Sequence, residues 1–168
     1  MAEAPVDPII KKYFDVIKAA TGSAFKSYYY GDPIRIPNSS LPALIGARRS
    51  SRTSTASNAE DIHRITLVFT VVSDVRNDIQ DDKTMTAGNA RLYDLIEGRD
   101  ESTLQLKSSS LLGILRKQAL ELDPAHQLWG DIDSPTQIDY GLVANKRANP
   151  SWSIEGAITT VASLVQIR

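Results

Sequence analysis

The stretch "DIHRITLVFTVVSDV", Asp61 to Val75, decides how this chain is read. It is β-branched and aromatic almost throughout, and its fifteen residues include no Gly or Pro. As a strand it would extend roughly 50 Å at about 3.3 Å per residue, where a usual strand has about five or six residues. Alternation puts Ile65, Leu67, Phe69 and Val71 on one face and Thr66, Val68, Thr70 and Val72 on the other. The first face is wholly apolar and the second mixed, as in a strand that packs on helices on one side and is partly covered on the other.

Working outward, the residues before this strand read as its hairpin partner. A strand is expected near Ala43 to Arg48, followed by "RRSSRTSTASN", Arg48 to Asn58, which is polar, small and basic. That composition offers nothing to bury, so residues 48–60 are expected to form a flexible hairpin loop or to be ordered only by a partner. Further upstream, "FKSYYY" (Phe25 to Tyr30) reads as a short strand and "GDP" (Gly31 to Pro33) as a turn. Asp7 and Pro8 start a helix that runs to about Ala20, with Ile10, Tyr13, Phe14 and Ile17 at helical spacing and Gly22 as its stop.

Downstream, "RNDIQDDKTMT" is an acidic connection, and two helices are expected over Ala87–Glu97 and Ser109–Leu122. Gln137–Ala144 and Trp152–Arg168 read as a second hairpin. The expected fold is α+β in one domain of 168 residues: a mixed or antiparallel sheet with long hairpins, an N-terminal helix and two middle helices.

Composition narrows the function classes. The chain is 42% hydrophobic and 23% charged, with a net charge of −1. That balance speaks against a general nucleic-acid binder. No apolar run is long enough to span a bilayer, and "MAEAPVDP" lacks the marks of a signal peptide, so a soluble, intracellularly made domain is expected. Without cysteine there is no disulfide framework or thiolate metal site.

Catalytic signatures are missing. The nine glycines form neither a GxGxxG fingerprint nor a phosphate loop, and no GxSxG or HExxH is present. His63 and His126 fall on different elements and read as a strand-surface and a loop histidine. Asp74, Asp78, Asp81 and Asp82 crowd one stretch without EF-hand spacing, so an acidic face toward a basic neighbour competes with a solvated loop and a hard-cation site. Arg48, Arg49 and Arg52 lack an aromatic platform, so they are a weak nucleic-acid signal, and a plain solubilising loop competes with a partner contact. No catalytic, cofactor-binding or metal residue is assigned.

The closing strand shows a related feature. Beyond Gly156, residues Ile158, Val161, Leu164, Val165 and Ile167 leave both faces apolar. Long apolar strands without Pro or Lys invite other chains if they lie at sheet edges. The expectation is that they overrun their own domain and are completed by neighbouring subunits, with Ile158, Val161 and Val165 at that contact. The competing reading is a monomer whose strands bend, for instance at Gly156.

The chain resembles the tail terminator (tail-completion) proteins of long-tailed bacteriophages. The likeness rests on the N-terminal amphipathic helix, "FKSYYYGDPIRIPNSSLPALIGA", the polar hairpin loop, "RITLVFTVVSDV", and "LYDLIEGRDESTLQLKSSSLLGILRKQ" from Leu92 to Gln118. It covers nearly the whole chain. It implies a structural virion protein without catalysis or cofactor, located at the head-proximal end of the tail and in the host cytoplasm during assembly. Such a protein forms a ring, a hexamer in this family, on the last ring of the tail tube protein. It halts tube polymerisation and offers a surface to the head connector or stopper, and DNA passes through its lumen without specific recognition. The alternatives are another head–tail connector or adaptor, or a small metal-dependent enzyme using the Asp74–Asp82 loop.

Overall fold

A computed structural model of the chain describes residues 5–75, 86–117, 122–131, 137–145, 148–149 and 152–168. The fold is α+β, with helices on one face of a mixed sheet.

Helix α1 (Pro8–Thr21) starts where its cap predicts: one carboxylate oxygen of Asp7 accepts the N–H groups of Ile9 (2.9 Å) and Ile10 (3.2 Å). It ends at Gly22, whose φ of 58° is open to glycine and whose N–H reaches the Lys18 carbonyl. Its apolar stripe, Ile9, Ile10, Tyr13, Phe14 and Ile17, is buried against the sheet.

The sheet contains β1 (Ser27–Tyr30), β3 (Ala43–Ser57), β4 (Glu60–Asp74), β5 (Leu128–Gly130), β6 (Gln137–Asn145) and β8 (Ser153–Ile167). Its order is β1-β3-β4-β8, and the far side of β8 is shared by β6 (opposite Ser153–Thr159) and β5 (opposite Ala162–Leu164). Only β1 joins in parallel, to β3; the other pairs are antiparallel. Strands β2 (Ile36–Pro37) and β7 (Ala148–Asn149) form a small separate ladder.

Helices α2 (Thr86–Glu97) and α3 (Leu111–Lys117) cover the sheet face that α1 covers, burying Leu92, Ile96, Leu111, Leu112, Ile114 and Leu115. Phe69, fully buried, is the hub: its ring lies 5.2 Å from Tyr13 and 6.0 Å from Phe14. A glycine is needed at position 46, because a Cβ there would stand 2.6 Å from Ile10 Cγ2 and 2.9 Å from Phe14 Cζ. Among the described residues the opposite face is covered at one end, where Ile36 and Leu41 pack on Ala43, Ile45 and Val72. The predicted apolar and mixed faces of β4 thus match the helix-covered and partly covered sides.

Three expectations need correction. Residues 48–57 are not a flexible loop but the outer half of β3, paired with β4 from Ser50↔Thr66 to Ser57↔Glu60, with a turn at Asn58 and Ala59. Low apolar content limits what a strand can bury, yet it does not stop the backbone from pairing, and serine and threonine tolerate the pleat. Next, β4 and β8 are not exposed edges. They pair with each other over their full length, Glu60↔Ile167 to Asp74↔Ser153, and β3 closes the other side of β4. Two apolar strands of equal length satisfy each other before they need a neighbour. Finally, α3 starts at Leu111 rather than Ser109, and Leu122 is not helical; residues 118–121 of the expected Ser109–Leu122 lie outside the described residues. Ser110 holds its start, donating its hydroxyl to the Lys107 carbonyl (2.8 Å) and accepting the Gly113 N–H (3.2 Å).

Candidate assembly surface

The hairpin outgrows its helices. Beyond Ala47 every residue of β3 is exposed, so Arg48–Ser57, the Glu60–Thr66 part of β4 and the Val161–Ile167 part of β8 form an arm, flanked on its β8 side by β5 at Ala162–Leu164. The ten β3 residues of this arm span roughly 33 Å. β1 covers β3 only from Ala43 to Gly46, so beyond that point, among the described residues, the outer edge of β3 has no strand beside it. Two register shifts, between Arg48 and Ser50 and between Thr55 and Ser57, interrupt this edge. Bulges and basic side chains are what blunt an edge against indiscriminate pairing.

The core reaches the arm only at its base, through Ile65 and Ala162 with Leu164 packed beside them; beyond that the arm is held by its ladders and by side-chain bonds along the helix-side face. The guanidinium of Arg168 donates to both carboxylate oxygens of Asp61 (2.9 and 2.6 Å) and to Thr55 Oγ1 (2.9 Å), and the Arg168 N–H reaches the Ala59 carbonyl (2.9 Å). These bonds hold the Asp61 carboxyl below the usual carboxylate range. One turn of the ladder inward, His63 lies between Thr53 Oγ1 (2.9 Å at Nδ1) and Gln166 Oε1 (3.1 Å at Nε2). A neutral ring satisfies both, donating from Nε2. His63 is therefore a strand-surface residue, as expected, with a bridging part in the arm.

The sequence-derived surface residues separate. Arg48 is engaged within the chain: its Nε and Nη2 donate to Asp7 Oδ2 at 2.9 and 2.7 Å, tying the root of the arm to the cap of α1. Arg49 falls in the first register shift and is exposed. Arg52 stands directly opposite Arg64, both exposed and without an ion pair among the described residues. Asp74 ends β4, and its carbonyl accepts from Arg91 Nη2 at 2.6 Å. Asp78, Asp81 and Asp82 lie outside the described residues. Ile158 is fully buried opposite Phe69, which removes it from any surface. Val161 and Val165 are half-buried on the face away from the helices, opposite Thr66 and Ile62.

Register sorts the charges on that outer face. Arg52 and Arg64 occupy the arm, whereas Asp139 and Glu155 occupy the body end, opposite Ala157 and Val72. Asp139 is exposed, and its carboxylate accepts from Gln137 Nε2 at 3.0 and 3.1 Å. Sequence reasoning missed Arg64 and Asp139, because their meaning depends on which residues stand across the ladder. The pairing of β3 with β4 and of β6 with β8 is the signal that finds them.

Elsewhere the polar side chains act as structural ties. Asp123 is held down to about 2 by Lys12 and His126, pinning α1 to the 3-10 turn Pro124–His126. Asp100 is held at about 2 by the hydroxyls and N–H groups of Ser102 and Thr103 within its own turn. The Tyr140 hydroxyl donates to Glu97 Oε2 (2.9 Å), and burial keeps its proton on far above the ordinary phenol range. This joins α2 to β6. Among the described residues there is no group of three or more metal-binding side chains, and no helix is long and apolar enough to cross a membrane. Neither a family model nor a curated protein matches the chain.

Proposed function

We propose that the chain is a structural subunit that assembles by surface contact: a ring on the end of a bacteriophage tail tube that stops tube polymerisation and offers a face to the head connector. The observation that carries this reading is the arm, which projects past the helices with the outer edge of β3 unpaired among the described residues. Such a segment costs ordering entropy and buries little, so in an isolated monomer it adds a liability without adding a core. A subunit that must be completed by neighbours uses it directly, as strand addition needs a ready edge. Repeated around a ring, shallow contacts act together, and weak single contacts give a firm cap. The resemblance in element order to tail terminators supplies the identity of the assembly.

The test is tail length. In a variant whose residues Arg52–Arg64 are replaced by an Asn-Gly turn, Ser51 and Ile65 are joined where they already pair. The variant folds and its tails run on to irregular lengths in negative-stain images, whereas the intact chain gives sharp ends at a fixed length. Tails of fixed length with the trimmed arm refute the reading. Co-sedimentation with purified tails and with purified capsids separates this role from that of a connector: binding to tails is expected first.

A further inference from the structure

The strand edges left open by the fold point to a particular neighbour. Beyond Gly46, β3 pairs with β4 alone, and on the other side of the sheet β6 pairs with β8 alone, among the described residues. The two free edges are comparable in length, Arg49–Ser57 and Gln137–Asn145, with a register shift in β6 between Gly141 and Asn145. Their directions fit too. β6 runs opposite to β8, β8 opposite to β4, and β4 opposite to β3, so β6 runs opposite to β3. Two copies in the same orientation can therefore join these edges in an antiparallel ladder that continues the sheet.

Asp139 opposite Arg52 sets an antiparallel register that pairs residues 49–54 with residues 137–142. Arg52 and Asp139 both lie on the face turned away from the helices, so a continued sheet brings them to one side. Like charges directly opposite each other destabilise a strand pair. Arg52 and Arg64 are such a pair, exposed and without an acid beside them among the described residues. A carboxylate arriving on the β3 edge relieves the repulsion. A net charge of −1 disfavours a polyanion as the source of that carboxylate and fits a contact between opposite ends of one kind of chain.

We propose that the β3 edge from Arg49 to Ser54 is completed by β6 of a second copy of this chain, with Asp139 of that copy set against Arg52 and Arg64. The inference rests on the assembly reading above and assigns its subunit contact. The contact is head-to-tail, so it repeats until a rotation closes it. Because the arm lies beyond the body, each copy is staggered along the strands, and a closed series is then tilted as strands are in a barrel.

The absence of native cysteine makes a cross-link decisive. The double variant Arg52→Cys/Asp139→Cys is oxidised, alone at rising concentration and on tails, beside each single variant. A ladder of covalent multimers in the double variant, with monomer in both singles, is the expected result. Covalent dimers from Arg52→Cys alone would show the edge pairing with itself and overturn the proposal, and so would monomer in the double variant in both settings. Charge reversal gives the second arm. Arg52→Glu faces Arg64 with an opposite charge, so thermal stability holds or rises while self-association falls by about tenfold or more. Adding Asp139→Arg restores association; failure to restore it overturns the contact. Tail capping that persists in a double-cysteine chain that never cross-links condemns this contact alone, whereas an intact chain that caps no tails condemns the functional reading as well.

Discussion

The two halves of the long strands share one ladder and differ in everything else. From Leu67 to Asp74, β4 lies under α1 and α2 with Leu67, Phe69 and Val71 fully buried. From Glu60 to Thr66 the same strand lies in the arm, where only Ile65 is buried. The body half is fixed by packing, and the arm half by backbone pairing and a few polar ties. Backbone hydrogen bonds thus carry a strand past the edge of its core, and stability and assembly are assigned to different halves of one element.

The sharpest way to break this division is to remove the hub of the body. Phe69→Ala should cost about 3–5 kcal/mol and shift the urea midpoint of the whole chain, since a large buried ring leaves a cavity. A loss confined to the arm would contradict the division. A smaller effect of the same kind is expected from Gly46→Ala. Its new methyl group meets Ile10 and Phe14, so α1 must shift away from β3 at a cost of about 1–3 kcal/mol. Circular dichroism melts would show a lower Tm with helix content retained.

At the junction, Asp7→Ala removes both the cap of α1 and the anchor of Arg48. The cap loss is worth about 1 kcal/mol. Hydrogen exchange should then rise at Ile9 and Ile10 and at the root of the arm, sharpening where body gives way to arm.

The smallest global effect belongs to the arm clamp. Arg168→Ala should leave the melting of the body unchanged while lowering amide protection at Thr55, Ala59 and Asp61. Its pH dependence has a fixed sign. Asp61 has a lowered folded pKa, so the clamp's contribution is complete above the usual carboxylate value of about 4 and is lost as pH falls through the lowered one. Arm protection, referred to intrinsic exchange rates at each pH, should fall in that acidic window before body protection does.

Much of the body was legible in the sequence, for identifiable reasons. The Asp7-Pro8 start and Gly22 stop are local chemistry, and the alternation of Ile65, Leu67, Phe69 and Val71 reports burial directly. The arm was not legible, because "RRSSRTSTAS" has the composition of a loop and its strand character comes from β4 alongside it. The edge was misplaced for the same reason. Pairing partners are long-range facts: whether β4 is an edge depends on β8, about ninety residues further along the chain. Arg52 gained its meaning only when the ladder set it opposite Arg64.

The central claim is that β4 and β8 are complete within one chain and that the outer edge of β3 is the part left for assembly. Residue-resolved hydrogen exchange, on the chain alone and after addition of tail tubes, tests it most directly. The account predicts slow exchange along β4 from Leu67 to Asp74 in both states, and new protection between Arg49 and Ser54 only on the tubes. Fast exchange along that part of β4 in the free chain, or a β3 edge that stays unprotected on the tubes, would contradict it.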